Sequence, residues 1–156
     1  MLTPQDLATF IVANGVRAEF LSFEQPTSTV NASAEALGVP PEQIIKSLVF
    51  LAGDKPHLVV VNGNTRVDYR KLADHWGLTR KRIRMARPEE VLQISGYPTG
   101  GVPPFGLKLH LPTLVEKEVL LQEVVYGGGG DERTLLRIGP EELVRVTRAT
   151  VVDVVR

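Results

Sequence analysis

Lys46 stands inside an apolar, β-branched run, Ile44-Ile45-Lys46-Ser47-Leu48-Val49-Phe50. If the run is a strand, Ile45 and Ser47 point to the face opposite Lys46. Burying an unpaired ammonium is costly. Lys46 therefore either snorkels to solvent along its aliphatic stem or points into a cleft to meet an anion. The second unusual stretch is Ser95–Gly106, a loop with four glycines and three prolines. The third is Gly127-Gly128-Gly129-Gly130. It lacks G-x-G-x-x-G spacing and no helix follows it, so it is no dinucleotide loop. It reads either as a flexible hairpin turn or as backbone that approaches a ligand with no side chain between. A basic segment holds Arg66, Arg70, Lys71, Arg80, Lys81, Arg82, Arg84 and Arg87, opposed only by Asp68 and Asp74. It is either a solvated face or a local seat for a phosphate backbone.

The missing chemistry narrows the choice. There is no phosphate-binding G-x-x-x-x-G-K-[ST] motif and no G-x-S-x-G nucleophile elbow. His57, His75 and His110 do not pair at helical metal-ligand spacing, and the chain has no cysteine. Thiolate nucleophiles, disulfides and Cys-based metal sites drop out, and no metal site is expected.

The elements that must hold these residues follow from pattern and punctuation. Thr3-Pro4-Gln5-Asp6 opens a helix that Gly15 stops. A strand covers 17–23, and an Ala-rich helix runs from Asn31 to Leu37 with Gly38 after it. The runs 44–51 and 57–61 form a hairpin across Gly53-Asp54-Lys55-Pro56. Asp68 caps a helix ending at about Trp76, a short strand includes Ile83 and Met85, and Pro88 opens a helix through Ile94. Further strands are expected at 109–115, 123–127, 134–138 and 150–155, with a helix over 140–146. Strands dominate and helices interrupt them irregularly. This predicts an α+β fold, a single domain over residues 1–156 with a mixed, largely antiparallel, barrel-like sheet and surrounding short helices.

Composition agrees: 156 residues, 43% hydrophobic and 23% charged, suffice for one compact domain with a core. A formal net charge of +0 argues against a general nucleic-acid coat protein but leaves room for a local basic seat. No apolar stretch approaches the ~20 residues that span a bilayer. The N-terminus lacks a basic start followed by an apolar run, so no membrane role and a cytoplasmic location are expected.

Three segments together resemble one family. Ala34-Glu35-Ala36-Leu37-Gly38 followed by Lys46-Ser47-Leu48 is similar to an A-x-x-L-G and K-[ST]-L pair. Gly96-Tyr97-Pro98-Thr99-Gly100-Gly101-Val102-Pro103-Pro104-Phe105-Gly106 resembles a G-Y-x-x-G-G-[VI]-x-P-[FL]-G loop. Gly128-Gly129-Gly130 and then Pro140-Glu141-Glu142-Leu143 resemble a later glycine turn and last helix. The family is that of YbaK and the prolyl-tRNA synthetase editing domain, and the resemblance covers the whole chain. It implies an aminoacyl-tRNA deacylase that needs no cofactor. Its partners would be the aminoacylated acceptor end of tRNA and prolyl-tRNA synthetase. A proline-sized synthetic site cannot sieve out smaller amino acids, since a methylene is worth only ~1–3 kcal/mol, so a second site must remove the errors.

By that resemblance Lys46 holds the terminal phosphate or ribose, with Ser47 beside it. The backbones of Gly100 and Gly101 line the ester pocket, and Pro104 stiffens the loop. Phe20, Thr29, Gly128 and Gly129 shape the amino-acid site; from its charge, the basic segment at Arg80, Lys81 and Arg82 is expected to guide the tRNA. Cysteine-acting members carry a tyrosine at Phe20, an aromatic residue at Thr29 and a serine at Gly128, and some carry an aspartate at Leu135. The departures point to alanine or another small aminoacyl group on tRNA(Pro), with Cys-tRNA(Pro) as the alternative. A non-catalytic module that docks the acceptor end or a synthetase is the alternative from another class.

Overall fold

A computed structural model describes residues 1–156. Helix α1 (Pro4–Ala13) begins as its sequence dictates: Thr3 Oγ1 accepts from the Asp6 N–H while Asp6 accepts from the Thr3 N–H, a reciprocal cap. Strand β1 (Ala18–Ser22) leads to α2 (Val30–Leu37), which Gly38 ends in the left-handed conformation. The hairpin of β2 (Ile45–Ala52) and β3 (Lys55–Asn62) is tighter than its sequence suggests. Only Gly53 and Asp54 turn the chain, so Pro56 joins the ladder opposite Leu51. Next come α3 (Tyr69–Trp76), β4 (Ile83–Met85) and α4 (Pro88–Ser95). The remaining elements are β5 (Thr113–Glu116), β6 (Val125–Gly128), β7 (Thr134–Ile138), α5 (Pro140–Thr147) and β8 (Thr150–Val152).

The strands make two sheets. One has three antiparallel strands in the order β1-β7-β6; the other has five, in the order β4-β2-β3-β5-β8. Antiparallel pairs join β2 to β3 and β4, while β3–β5 and β5–β8 are parallel. The domain is α+β with a mixed, largely antiparallel arrangement. The expected barrel needs correction, because neither sheet closes. Between the sheets runs a single parallel bridge, Ile44 to Tyr126, and β4 covers β2 only from Phe50 to Ala52. The edge of β2 from Ile45 to Leu48 therefore carries no strand, and the site forms there.

Two strand boundaries also shift. The strand expected from 109 starts at Thr113, just after Pro112, whose missing N–H suits a strand entrance. The last strand stops at Val152, and the chain then crosses to pair Val155 with Val67. A 3-10 turn over Lys117–Leu121 fills a stretch without periodic pattern.

The five-stranded sheet is buried on both faces, which explains why β2 and β3 read as nearly continuous apolar runs. Ile45, Val49, Leu58 and Val60 face the larger core, with α1, α5, the Gly/Pro loop and the three-stranded sheet. Phe50, Val59 and Val61 face a second core under α3 and the C-terminal segment. Lys46 shares the face of the second set, opposite Val61, and Ser47 shares that of the first.

Candidate active site

The uncovered edge of β2 opens onto a cavity of about 270 Å³. Its floor is β2 from Ile45 to Val49. One wall is Gly127 and Gly128 of β6 with Leu135 of β7; another is the Gly/Pro loop at Thr99, Gly100 and Val102. The segment Thr27–Val30 and Ser33 of α2 form the roof, and Met85, Ala86, Pro88 and Val91 close the remaining side. Lys46 is the one charged residue in this lining, which includes no carboxylate and no histidine.

Lys46 is half-buried, and its ammonium donates a single hydrogen bond, to the Thr65 carbonyl at 3.2 Å. Burial pushes its pKa below the ordinary lysine value, with no carboxylate to offset the desolvation. Of the two readings open from sequence, the side chain follows neither simply: it is neither fully solvated nor paired with a protein anion. Ser47 lies on the cavity face between Ile45 and Val49, and its buried Oγ has no hydrogen-bond partner. A buried hydroxyl left unsatisfied is costly, so a ligand or water that meets it gains what the protein does not supply.

The two loop glycines differ. Gly100 has φ +92, lines the cavity, and its N–H makes no bond within the protein. Gly101 is committed: its N–H donates to the Pro98 carbonyl (3.0 Å) and its carbonyl accepts from the Gly130 N–H (2.9 Å). A Cβ on Gly101 would point at the Asp131 backbone, 2.8 Å away, and away from any ligand. The late glycine run serves the same contact. A Cβ on Gly128 would lie 2.3 Å from the Val102 carbonyl oxygen, and one on Gly129 would strike Thr134 at 2.8 Å. The two glycine-rich segments are backbone packed on backbone, and a serine at position 128, as in cysteine-acting members, has no room here.

Lys46, Ser47, Thr29, Gly100 and Gly128 thus come together around one cavity, while Gly101 and Gly129 sit just behind its walls. Thr29 is the cap of α2: its Oγ1 accepts from the Ala32 N–H at 3.1 Å. Pro104 is buried behind the loop and approaches Gly127 from the other side. Phe20 flanks a separate shallow depression with Pro4, Ala8 and Arg133. Arg80, Lys81 and Arg82 form a 3-10 turn against the far end of β2, where the Arg82 carbonyl accepts from the Gly53 N–H. His57 packs beside Trp76, ring centres 4.7 Å apart, and His110 borders a second, smaller cavity. Tyr126, Val91 and the Met85–Pro88 segment are wall residues that sequence reasoning passed over. Their types are those of any core residue, and only the bare edge of β2 makes them a lining.

The protein is thus a small α+β domain with one cavity bordered by a single cation and a glycine backbone. The chain is a member of the aminoacyl-tRNA editing domain family, whose model matches residues 24–146. It is 33% identical to the uncharacterized protein YwhH of Bacillus subtilis (strain 168), covering 78% of this chain and 76% of that one. It is 28% identical to the "Putative Cys-tRNA(Pro)/Cys-tRNA(Cys) deacylase EbsC" of Enterococcus faecalis, covering 78% and 73%. Among solved structures, "a putative trans-editing enzyme for prolyl tRNA synthetase" superposes with a TM-score of 0.91 at 31% identity, covering 100% of this chain and 99% of that one.

Proposed function

We propose that this protein hydrolyses the ester of mischarged aminoacyl-tRNA in the cytoplasm. It would act in trans to prolyl-tRNA synthetase on Ala-tRNA(Pro) or another small aliphatic aminoacyl group. The observation that carries this reading is the cavity itself: walls that mix aliphatic side chains with serine and threonine, one lysine, and a Gly100 N–H with no partner in the protein. Lys46 meets the phosphate or ribose of the terminal nucleotide. The Gly100 N–H faces the ester carbonyl, where a backbone donor stabilises the oxyanion that forms as water attacks. The carbon–oxygen bond to the ribose then breaks, releasing the amino acid and a free ribose hydroxyl. No side chain in the lining can act as a carboxylate or imidazole base. The substrate's neighbouring ribose hydroxyl is the group best placed to orient the water, and an aminoacyl ester is already activated enough to need little more.

Specificity follows from what the walls lack. Leu135 is buried, Gly128 leaves no space for a side chain, and the Thr29 hydroxyl is spent on its helix. The hydroxyls of Ser47, Ser28 and Thr99 line the cavity without a protein partner, and of these Ser47 Oγ is the buried one. A thiol is only weakly polar, so the preference for alanine over cysteine is modest, about 10-fold or less. The likeness to EbsC favours cysteine as the competing substrate. The test is kcat/KM for alanyl-, cysteinyl- and prolyl-tRNA(Pro) under one set of conditions. The expected order is alanyl, then cysteinyl, with the prolyl ester spared. A preference for the cysteinyl ester reverses the pocket argument, and efficient prolyl cleavage removes the editing role.

A further inference from the structure

Glu116, at the end of β5, is fully buried and outside the cavity lining. Its Oε2 accepts from the Val154 N–H at 2.7 Å, and its Oε1 has no partner. Burial raises its pKa above the ordinary carboxylate value, and the nearby Asp153 and Glu118 carboxylates push the same way. Nothing in the ester chemistry uses this group. Its partner Val154 belongs to the last four residues, Asp153–Arg156, which run as a strap along the loop after β3.

The strap is tied at every residue. The Val154 carbonyl accepts from the Asp68 N–H at 2.7 Å, and the Arg156 N–H donates to the Arg66 carbonyl at 3.0 Å. Lys71 reaches over it, donating to the Val155 carbonyl at 2.8 Å and to Asp153 at 2.9 Å. These bonds fix the backbone on both sides of Val67. Just before Arg66 comes Thr65, whose carbonyl is the only acceptor Lys46 has. On its other side Thr65 is held by the Asn62 carbonyl, which accepts from both its N–H and its Oγ1. The Thr65 carbonyl is thus pinned between the end of β3 and the strap, and it sets where the Lys46 ammonium sits.

We infer that Glu116 is a positioning residue for Lys46, acting through the C-terminal strap and the Thr65 carbonyl. The inference rests on the reading of Lys46 as the cation that faces the ligand. Without an acceptor for the buried Val154 N–H the strap loses its inner anchor, and the 65–68 loop gains freedom. Lys46 then leaves its half-buried seat for solvent. Misplacing a substrate-holding group by about an ångström costs up to ~100-fold in rate.

Two variants of the full chain separate anchor from charge. Glu116→Leu removes the acceptor; Glu116→Gln keeps an amide oxygen for Val154. Lys71→Ala loosens the strap from its solvent side and leaves the core intact, so it serves if Glu116→Leu does not fold. The first readout is the titration of the Lys46 amine, followed by NMR; the second is deacylation of mischarged tRNA. In Glu116→Leu or Lys71→Ala the Lys46 titration should move up toward the ordinary lysine range, with kcat lowered roughly 10-fold or more. Glu116→Gln should leave both near wild type. An unmoved Lys46 titration in the folded variants overturns the coupling, as does a Glu116→Gln variant as defective as Glu116→Leu. If the wild-type protein releases no amino acid, the deacylase reading fails, yet the titration still decides the positioning.

Discussion

The two ends of β2 both attract attention by charge, and they differ in what that charge is free to do. At the Ile45 end, Lys46 has one carbonyl partner and borders an open cavity. Toward the Ala52 end, roughly 20 Å away by strand geometry, lie the cations from Arg80 to Arg87, and three of these five are taken up by their own neighbours. Arg80 lies 4.0 Å over the Tyr69 ring and donates to the Ile83 carbonyl. Arg84 grips Glu90 through two bonds of 2.8 and 2.9 Å, and Arg87 pairs with Glu89 and Glu90. Lys81 and Arg82 keep no carboxylate or aromatic ring, while Arg66, Arg70 and Lys71 of the same run belong to the loop after β3 and to α3, on the side of Lys46. A lone lysine on an uncovered edge is therefore a sharper functional mark than a dense run of which half the members fold back on acids and aromatic rings.

The most demanding test of this contrast is Lys46→Ala. Deacylation should fall by about 100-fold, as for loss of one preorganised electrostatic partner. Thermal melting should hold or rise slightly, because a desolvated charge has been removed. Full activity in that variant would erase the difference between the two ends.

Behind the cavity, the glycines sharpen the comparison by separating wall from support. Gly101→Ala forces a methyl against the Asp131 backbone and should destabilise by about 1–3 kcal/mol, read by denaturant unfolding. The folded fraction should keep its rate per molecule, since Gly101 offers the ligand no free backbone group. Gly100→Ala places a side chain at φ +92 on the rim and should lower the rate as well. Equal losses of rate in the two would merge their roles.

A smaller effect is expected at the basic end. Reversing Lys81 and Arg82 to Glu should weaken tRNA binding several-fold and flatten its salt dependence by about one unit of slope for each phosphate no longer neutralised. Adding Arg80 to the set should cost stability beyond any further weakening of binding, because its guanidinium braces Tyr69. Binding and slope that do not change would make the segment a solvated face.

The smallest expected effect is with acid. Arg84 and the Arg87 N–H hold the Glu90 carboxyl down to about 2, below its unfolded value near ~4.3. A depressed folded pKa contributes stability that is present above the unfolded value and lost as pH falls toward 2. The melting temperature of Glu90→Gln should lie below wild type at pH 6, and the gap should shrink below pH ~4 and close only as pH falls through about 2. A gap that persists in acid would assign the effect to packing of α4 and not to this ion pair.

Much of the fold was legible along the chain. The Thr3 cap, the stops at Gly38 and Gly77, the β2–β3 hairpin and the helix after Gly139 all follow from local punctuation that no distant residue overrides. Lys46, Ser47, Gly100 and Gly128 were also legible as residues of interest, because an ammonium or a glycine run in such surroundings needs a reason. Their partition was not legible. Gly100 and Gly101 are adjacent and identical in type, yet one has a free N–H on the rim and the other is bonded on both sides, to Pro98 and to Gly130.

By itself the sequence determined the helices, the strands, the absence of cysteine chemistry and a family resemblance that the matching family model bears out. These rest on periodicity, caps and residue type, which act over a few positions. Only the tertiary structure decided that the sheets stay open, that β2 is bare from Ile45 to Leu48, and which arginines are already paired. It also decided that Thr65, held by a strap from the far end of the chain, seats Lys46. Each of these depends on contacts between residues far apart in sequence, and no local pattern encodes which carboxylate, carbonyl or strand edge a residue will meet.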